Sequence, residues 1–178
     1  METLTSLEKT LSKWYKDLPH LPKGFTDWLA ENIWWLVVIG VVLSILSLLV
    51  LIPVALIVFG ITSGVASTYG YPGAMSVTGA GLAWLSVTLS IAALVVTTIL
   101  EAMAISPLKA KAKKGWTLLF AVAVFNLAFN IVSALVEINI FGIITAILWA
   151  AVWGYFLFEI RSYFGAKHKA EAKTAKKA

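Results

Sequence analysis

Few side chains in this sequence combine the type and spacing that chemistry requires. Asn126, Asn130, Ser133 and Glu137 are spaced 4, 3 and 4, so they share one face of a helix. Such a stripe could line a polar path, or it could hydrogen-bond to neighbouring helices, where each contact is worth only about 0.6 kcal/mol in a membrane. Two asparagines with no charge at mid-depth make a poor ion path. Glu101, Glu137 and Glu159 fall near the ends of apolar runs, where acids act as boundary residues more readily than as proton carriers. The two histidines, His20 and His168, are far apart in sequence, and a metal site needs several convergent ligands. Cysteine is absent, which removes disulfides, thiolate metal sites and thiol nucleophiles. No phosphate-binding glycine loop, HExxH or nucleophile elbow is present. The serines of the apolar runs have no partner base. No catalytic, cofactor or metal site is expected.

The elements that would hold these residues follow from charge. From Asn32 to Leu100 there is no Asp, Glu, Lys, Arg or His, and 60% of all residues are hydrophobic. Mean hydropathy is +0.90. A soluble surface needs charges, so the sequence predicts an integral membrane protein. The expected fold class is an all-α membrane four-helix bundle preceded by an amphipathic interfacial helix. Residues 1–31 read as that helix and a Pro-rich linker, 32–160 as the bundle, and 161–178 as a basic cytoplasmic tail. Spans are expected at about 33–61, 81–104, 116–136 and 138–158. The stretch from 116 to 158 overshoots the bilayer about twofold as one helix, so it must fold into an antiparallel pair. Mixed charges before the first long apolar run argue against a cleavable signal peptide.

Within residues 3–18, Leu4, Leu7, Leu11, Trp14 and Leu18 form one helical face, with Glu8, Lys9, Lys13, Lys16 and Asp17 elsewhere. This helix can lie in the membrane interface, pack on the cytoplasmic ends of the spans, or do both. Pro19 and Pro22 end it, and Thr26 or Asp27 is a candidate cap for the restart. Thr62–Ala80 reads as a loop, with a re-entrant piece left open.

Orientation is the sharpest inference. All fourteen Lys and Arg residues fall on one side of a four-span chain: before span one, between spans two and three, or after span four. The positive-inside rule then makes both termini cytoplasmic. Lys109, Lys111, Lys113, Lys114 and Arg161 are candidate contacts for anionic lipid headgroups, each worth roughly 1 kcal/mol at the surface. The basic tail could also bind RNA or an acidic protein, but the charge is explained first by membrane placement, against a nucleic-acid partner. Gly142, Ala146, Ala150 and Gly154 recur every four residues and, with Asn126, Asn130 and Ser133, are candidate helix–helix contacts. Gly79, Ala83, Ser86, Ser90, Ala93 and Thr97 form a second small seam.

Two segments carry a resemblance. Ser106-Pro107-Leu108-Lys109-Ala110-Lys111-Ala112-Lys113-Lys114-Gly115-Trp116 is similar to a Pro-then-basic loop entering a Gly-Trp helix start. Gly154-Tyr155-Phe156-Leu157-Phe158-Glu159-Ile160-Arg161-Ser162-Tyr163-Phe164 is similar to the end of a last span. Together, over the second half of the chain, they resemble uncharacterised small four-span membrane proteins of reduced-genome bacteria. The resemblance implies a bacterial inner-membrane setting and four-helix topology, with no activity or site residues. The expected function is that of a non-catalytic, structural or interaction multi-pass protein. Its expected partners are the bilayer, anionic headgroups, and either a second copy or another membrane subunit. A small oligomeric transporter or channel for a small solute is the alternative; a membrane enzyme is disfavoured by the missing site chemistry.

Overall fold

The computed structural model describes residues 2–68 and 80–165. Five α-helices follow one another: α1 (Glu2–Lys16), α2 (Lys23–Thr68), α3 (Ala80–Lys109), α4 (Lys113–Val136) and α5 (Ile140–Glu159), then a 3-10 turn at Arg161–Tyr163. No strand occurs among the described residues. The helices α2 to α5 are each long and apolar enough to cross a membrane. The chain is therefore an all-α membrane protein with four candidate spans, as its charge pattern requires.

Helix bounds differ from the expected spans for local reasons. The Pro22 carbonyl accepts from the N–H groups of Phe25 and Thr26 (2.9 and 3.1 Å), so α2 starts at Lys23. Thr26 does not cap it; its Oγ1 donates to the Lys23 carbonyl. At its far end α2 runs on to Thr68, through the first part of the expected loop. Residues 69–79, with Tyr69-Gly70-Tyr71-Pro72-Gly73 and the question of re-entrance, lie outside the described residues, as does the tail from 166 onward. At 46 residues α2 is about 69 Å long, over twice the hydrocarbon thickness, so it must tilt or protrude. Pro107 is carried inside the last turn of α3, which ends at Lys109 rather than near Ala104.

The α3–α4 and α4–α5 turns close in the same way. Ala112 N–H reaches back to the Pro107 carbonyl and Lys111 N–H to Leu108; Asn139 N–H reaches Ala134 and Ile138 N–H reaches Leu135. These are Schellman caps, which favour glycine at the left-handed position. Here that position holds Lys111 and Ile138, each at φ +50°. Asn139 then caps α5, accepting from Gly142 N–H at 2.9 Å, so α5 begins at Ile140 rather than at 138. Ile138 is almost wholly exposed, and its branched side chain gains no contact that offsets the strained backbone. Ile138→Gly should therefore raise stability by about 1 kcal/mol, read as a higher Tm in detergent; an unchanged or lower Tm would count against strain at this turn.

The described chain divides into two compact units. One comprises Gly40–Ile99, the later part of α2 and the first part of α3. In it Phe59 packs edge-on against Trp84, at 4.7 Å between ring centres. Ala93 and Thr97 of the expected small seam are buried; Gly79 is outside the described residues. Ser47 and Thr98 donate to carbonyls of their own helices, Leu43 and Leu94. The other unit comprises residues up to Ile39 and from Leu100 onward. Its core is the α4–α5 pair. Trp116, Leu119, Phe120 and Val122 of α4 are buried, with Leu157 and Ile160 at the end of α5.

Candidate functional site: an interlocked polar end

The charged flanks of the chain meet at one end of this second unit. Glu8 of α1 is 5% exposed. Its Oε1 accepts from Arg161 Nε (2.9 Å) and Nη2 (2.6 Å), and Lys113 Nζ lies 4.0 Å away. The Arg161 guanidinium also covers the Trp116 ring, 5.7 Å from its centre. Trp116 stacks on Phe120, meets Phe158 edge-on, and donates its indole N–H to the Leu157 carbonyl at 2.6 Å.

α1 is therefore rolled about its axis relative to the expected leucine face. The sequence places Glu8 among the outward polar residues; instead Glu8 and Tyr15 point inward. Trp14, Leu18 and Leu7 are left 70%, 43% and 40% exposed. Apolar periodicity cannot register an inward carboxylate whose cation lies 153 residues away. The second cause is a hollow: a Cβ on Gly154 would meet the Tyr15 hydroxyl at 2.5 Å. Tyr15 fills that hollow, stacks on Phe158 and donates to the Ala151 carbonyl at 3.1 Å. Burial raises its pKa above the usual tyrosine range.

The Pro-rich linker is fastened beside it. His20 Nδ1 lies 2.8 Å from Glu159 Oε1, and Leu21 N–H donates to Oε2 at 3.3 Å. The Tyr155 hydroxyl donates to the Pro19 carbonyl. One turn on, Tyr163 donates to Asp27 Oδ1 at 2.6 Å and meets Thr26 Oγ1 at 3.2 Å. That bond to a carboxylate, foremost, raises the Tyr163 pKa. The α3–α4 turn completes the ring of contacts: Lys111 Nζ donates to the Ala30 carbonyl and lies 5.7 Å from the Phe164 ring centre. Its own carbonyl accepts from Gly165 N–H. Burial lowers the Lys111 pKa, against the pull of the Glu31 carboxylate. The left-handed backbone at Lys111 is thus held by three contacts that Ile138 lacks.

The residues singled out from sequence divide accordingly. Among the headgroup candidates, Arg161 and Lys111 are engaged within the protein, Lys109 lies over the Trp34 ring at 5.2 Å, and Lys113 and Lys114 are exposed. Asn126, Asn130 and Ser133 do share a face of α4, but Asn130 Nδ2 donates to the Asn126 carbonyl of its own helix at 2.7 Å and the residue is exposed. Along the small ridge of α5, a Cβ on Gly142 would meet the Asn139 side chain at 3.0 Å and Ala134 of α4 at 3.2 Å, whereas Gly154 faces Tyr15 of α1; Ala146 and Ala150 are half-buried. The ridge therefore serves two different neighbours.

Chemically, this end offers closed pairs rather than open groups. No cluster of metal-ligating side chains occurs among the described residues, and His168 lies outside them. An open groove of about 210 Å³ between α2 and α5 is lined by Phe25, Trp28, Leu29, Trp153, Phe156 and their apolar neighbours, with no charged or hydroxyl side chain. Compared with known proteins, the chain matches no family model, no curated protein and no solved structure. Any functional reading therefore has to come from the residues themselves.

Proposed function

We propose that this chain is a non-catalytic, multi-pass protein of the bacterial inner membrane, acting as a structural or interaction component with both termini in the cytoplasm. The observation that carries this reading is the mutual engagement of the polar groups. Glu8 with Arg161, Glu159 with His20 and Asp27 with Tyr163 consume one another at one end. Within the spans, Ser47, Thr98, Asn130 and Thr145 donate to carbonyls one turn back. Reactive or transported molecules need polar groups held open toward them. The one-sided lysines support the cytoplasmic orientation, and the resemblance of the 106–116 and 154–164 segments supports the bacterial setting. Partners on this reading are the bilayer, anionic headgroups, and either a second copy or another membrane subunit.

A second reading, a small oligomeric transporter or channel, draws on the exposure of Asn130 on α4. A neighbouring copy would cover it and could share a polar path.

Labelling tests the orientation, and capture with a flux assay tests the structural reading. With no native cysteine, single cysteines at 70 and 138 should be labelled from outside the cell and one at 112 only from inside. Mixed or reversed labelling would defeat the orientation. Affinity capture from membranes should recover a stoichiometric partner or a second copy. A lone monomer, or solute flux across vesicles abolished by Asn130→Leu, would defeat the structural reading.

A further inference from the structure

The contacts of α1 place it in an unexpected position along α5. Glu8 is paired beyond the end of α5, at Arg161, while Tyr15, two turns later in α1, reaches the Ala151 carbonyl and fills the hollow at Gly154. Ala151 lies about 12 Å along the axis from Glu159. α5 has 20 residues, about 30 Å, the thickness of the hydrocarbon core. A span that short cannot be drawn far out of the bilayer without exposing apolar side chains to water or sinking its ends. The Tyr15 ring, stacked on Phe158, and its hydroxyl, at Ala151, therefore lie beside α5 at and below the level of Glu159, so the C-terminal end of α1 is held against the flank of the span.

The exposed residues of α1 match that depth. Leu7 and Trp14 form one outward stripe, directly beside the inward row of Leu4, Glu8, Leu11 and Tyr15, and Leu18, in the bend just past the end of α1, is exposed with them. Lys9 and Lys16 lie on the opposite side of the helix from this stripe, with Lys13 flanking them. Three sectors thus face three surroundings: protein, an apolar medium, and water with headgroups. Trp is the side chain best suited to the boundary between the last two.

We propose that α1 is a lipid-inserted helix, with Leu7, Trp14 and Leu18 in contact with phospholipid acyl chains in the leaflet that holds the Glu159 end of α5. This deepens the functional reading by naming phospholipid as the ligand of one helix face; it rests on the chain being in a bilayer, whichever face is cytoplasmic. The protein itself sets the depth, through Tyr15 on Gly154 at one end and Glu8 on Arg161 at the other. α1 then displaces lipid from one leaflet only, a wedge of the kind that responds to lipid packing and composition.

The test uses the full chain with one introduced cysteine, Leu7→Cys, Trp14→Cys, Leu18→Cys, Lys9→Cys or Lys16→Cys. Each is spin-labelled and reconstituted in vesicles of phosphatidylethanolamine and phosphatidylglycerol. Labels at 14 and 18 should collide with dissolved oxygen at least threefold more than with a water-soluble nickel chelate, and label 7 should do so less strongly. Labels at 9 and 16 should favour the chelate. Chelate access at all five positions would overturn the proposal by placing α1 in water. Immobile labels at 7, 14 and 18, shielded from both reagents, would overturn it in favour of a protein partner. Gly154→Leu, which expels Tyr15 from its hollow, should raise chelate access at 14 and 18 at least twofold; no change would show that α5 does not set the depth. Cytoplasmic sidedness is read separately by the labelling at 70, 112 and 138, so failure of one leaves the other standing.

Discussion

Arg161→Ala should destabilise the protein more than Glu8→Ala, although both remove the same ion pair. Removing the arginine strands a carboxylate whose side chain is 7% exposed, with only Lys113 at 4.0 Å to answer it. An unanswered buried charge costs several kcal/mol. The half-open surroundings and the remaining lysine reduce that to about 2–3 kcal/mol, a fall in Tm of roughly 5–10 °C for a chain of this size. Removing the glutamate strands a guanidinium that is 40% exposed and still rests on Trp116. It can hydrate, so the cost is about 1 kcal/mol. The double substitution should cost less than the two singles together, because the stranded partner is gone. Arg161→Lys should fall between wild type and Arg161→Ala, since an ammonium keeps the charge but loses the two-pronged donor. Melting in detergent, followed by far-UV circular dichroism, reads all four variants. Equal and small losses in both singles would mean that the pair is solvated and does not fasten α1.

The glycines should show a graded response to alanine. At Gly115 a Cβ would sit 2.6 Å from the Leu108 backbone nitrogen and 2.8 Å from the Pro107 carbonyl carbon. Those are main-chain atoms of the last turn of α3, which cannot swing aside, so the α3–α4 turn must open. Gly115→Ala should cost about 3 kcal/mol, the upper range for overpacking. At Gly154 the obstacle is the tip of Tyr15, which can rotate away; about 1 kcal/mol is expected there. At Gly24 nothing lies within 4 Å of the added carbon, and alanine, the better helix former, should be neutral or stabilising. The order Gly115, Gly154, Gly24 in the same melts checks the close crossing of α3 and α4. A tolerated Gly115→Ala would place those two backbones further apart than described.

Much of the architecture was legible because membrane insertion obeys coarse rules. A charge-free run must find lipid, and lysines mark the spans' ends regardless of tertiary detail. The α4–α5 turn at 137–139 was visible for a similar reason, since the largely apolar stretch from 116 to 158 must double back. Side-chain pairing was not visible. Glu8 and Arg161 are far apart in sequence, and Glu159 bonds to His20 rather than to its neighbour Arg161. The second span is expected to end near 104, with Pro107 in the loop, yet α3 continues two residues beyond that proline to Lys109, and Lys111 then takes the left-handed position. Tyr15 gave no sign of its role, because the hollow that receives it belongs to a glycine 139 positions later, read from sequence as part of a helix–helix ridge.

The long separation within these pairs also bears on the order of assembly. A ribosome delivers α1 before α2 to α5, but Gly154, Glu159 and Arg161 emerge only after α2, α3 and α4 have been made. During that interval α1 has no seat, and its stripe of Leu7, Trp14 and Leu18 can only be sheltered by lipid or by a chaperone. Docking of α1 therefore waits until α5 has been made, and any stalled chain ending before Gly154 leaves it undocked.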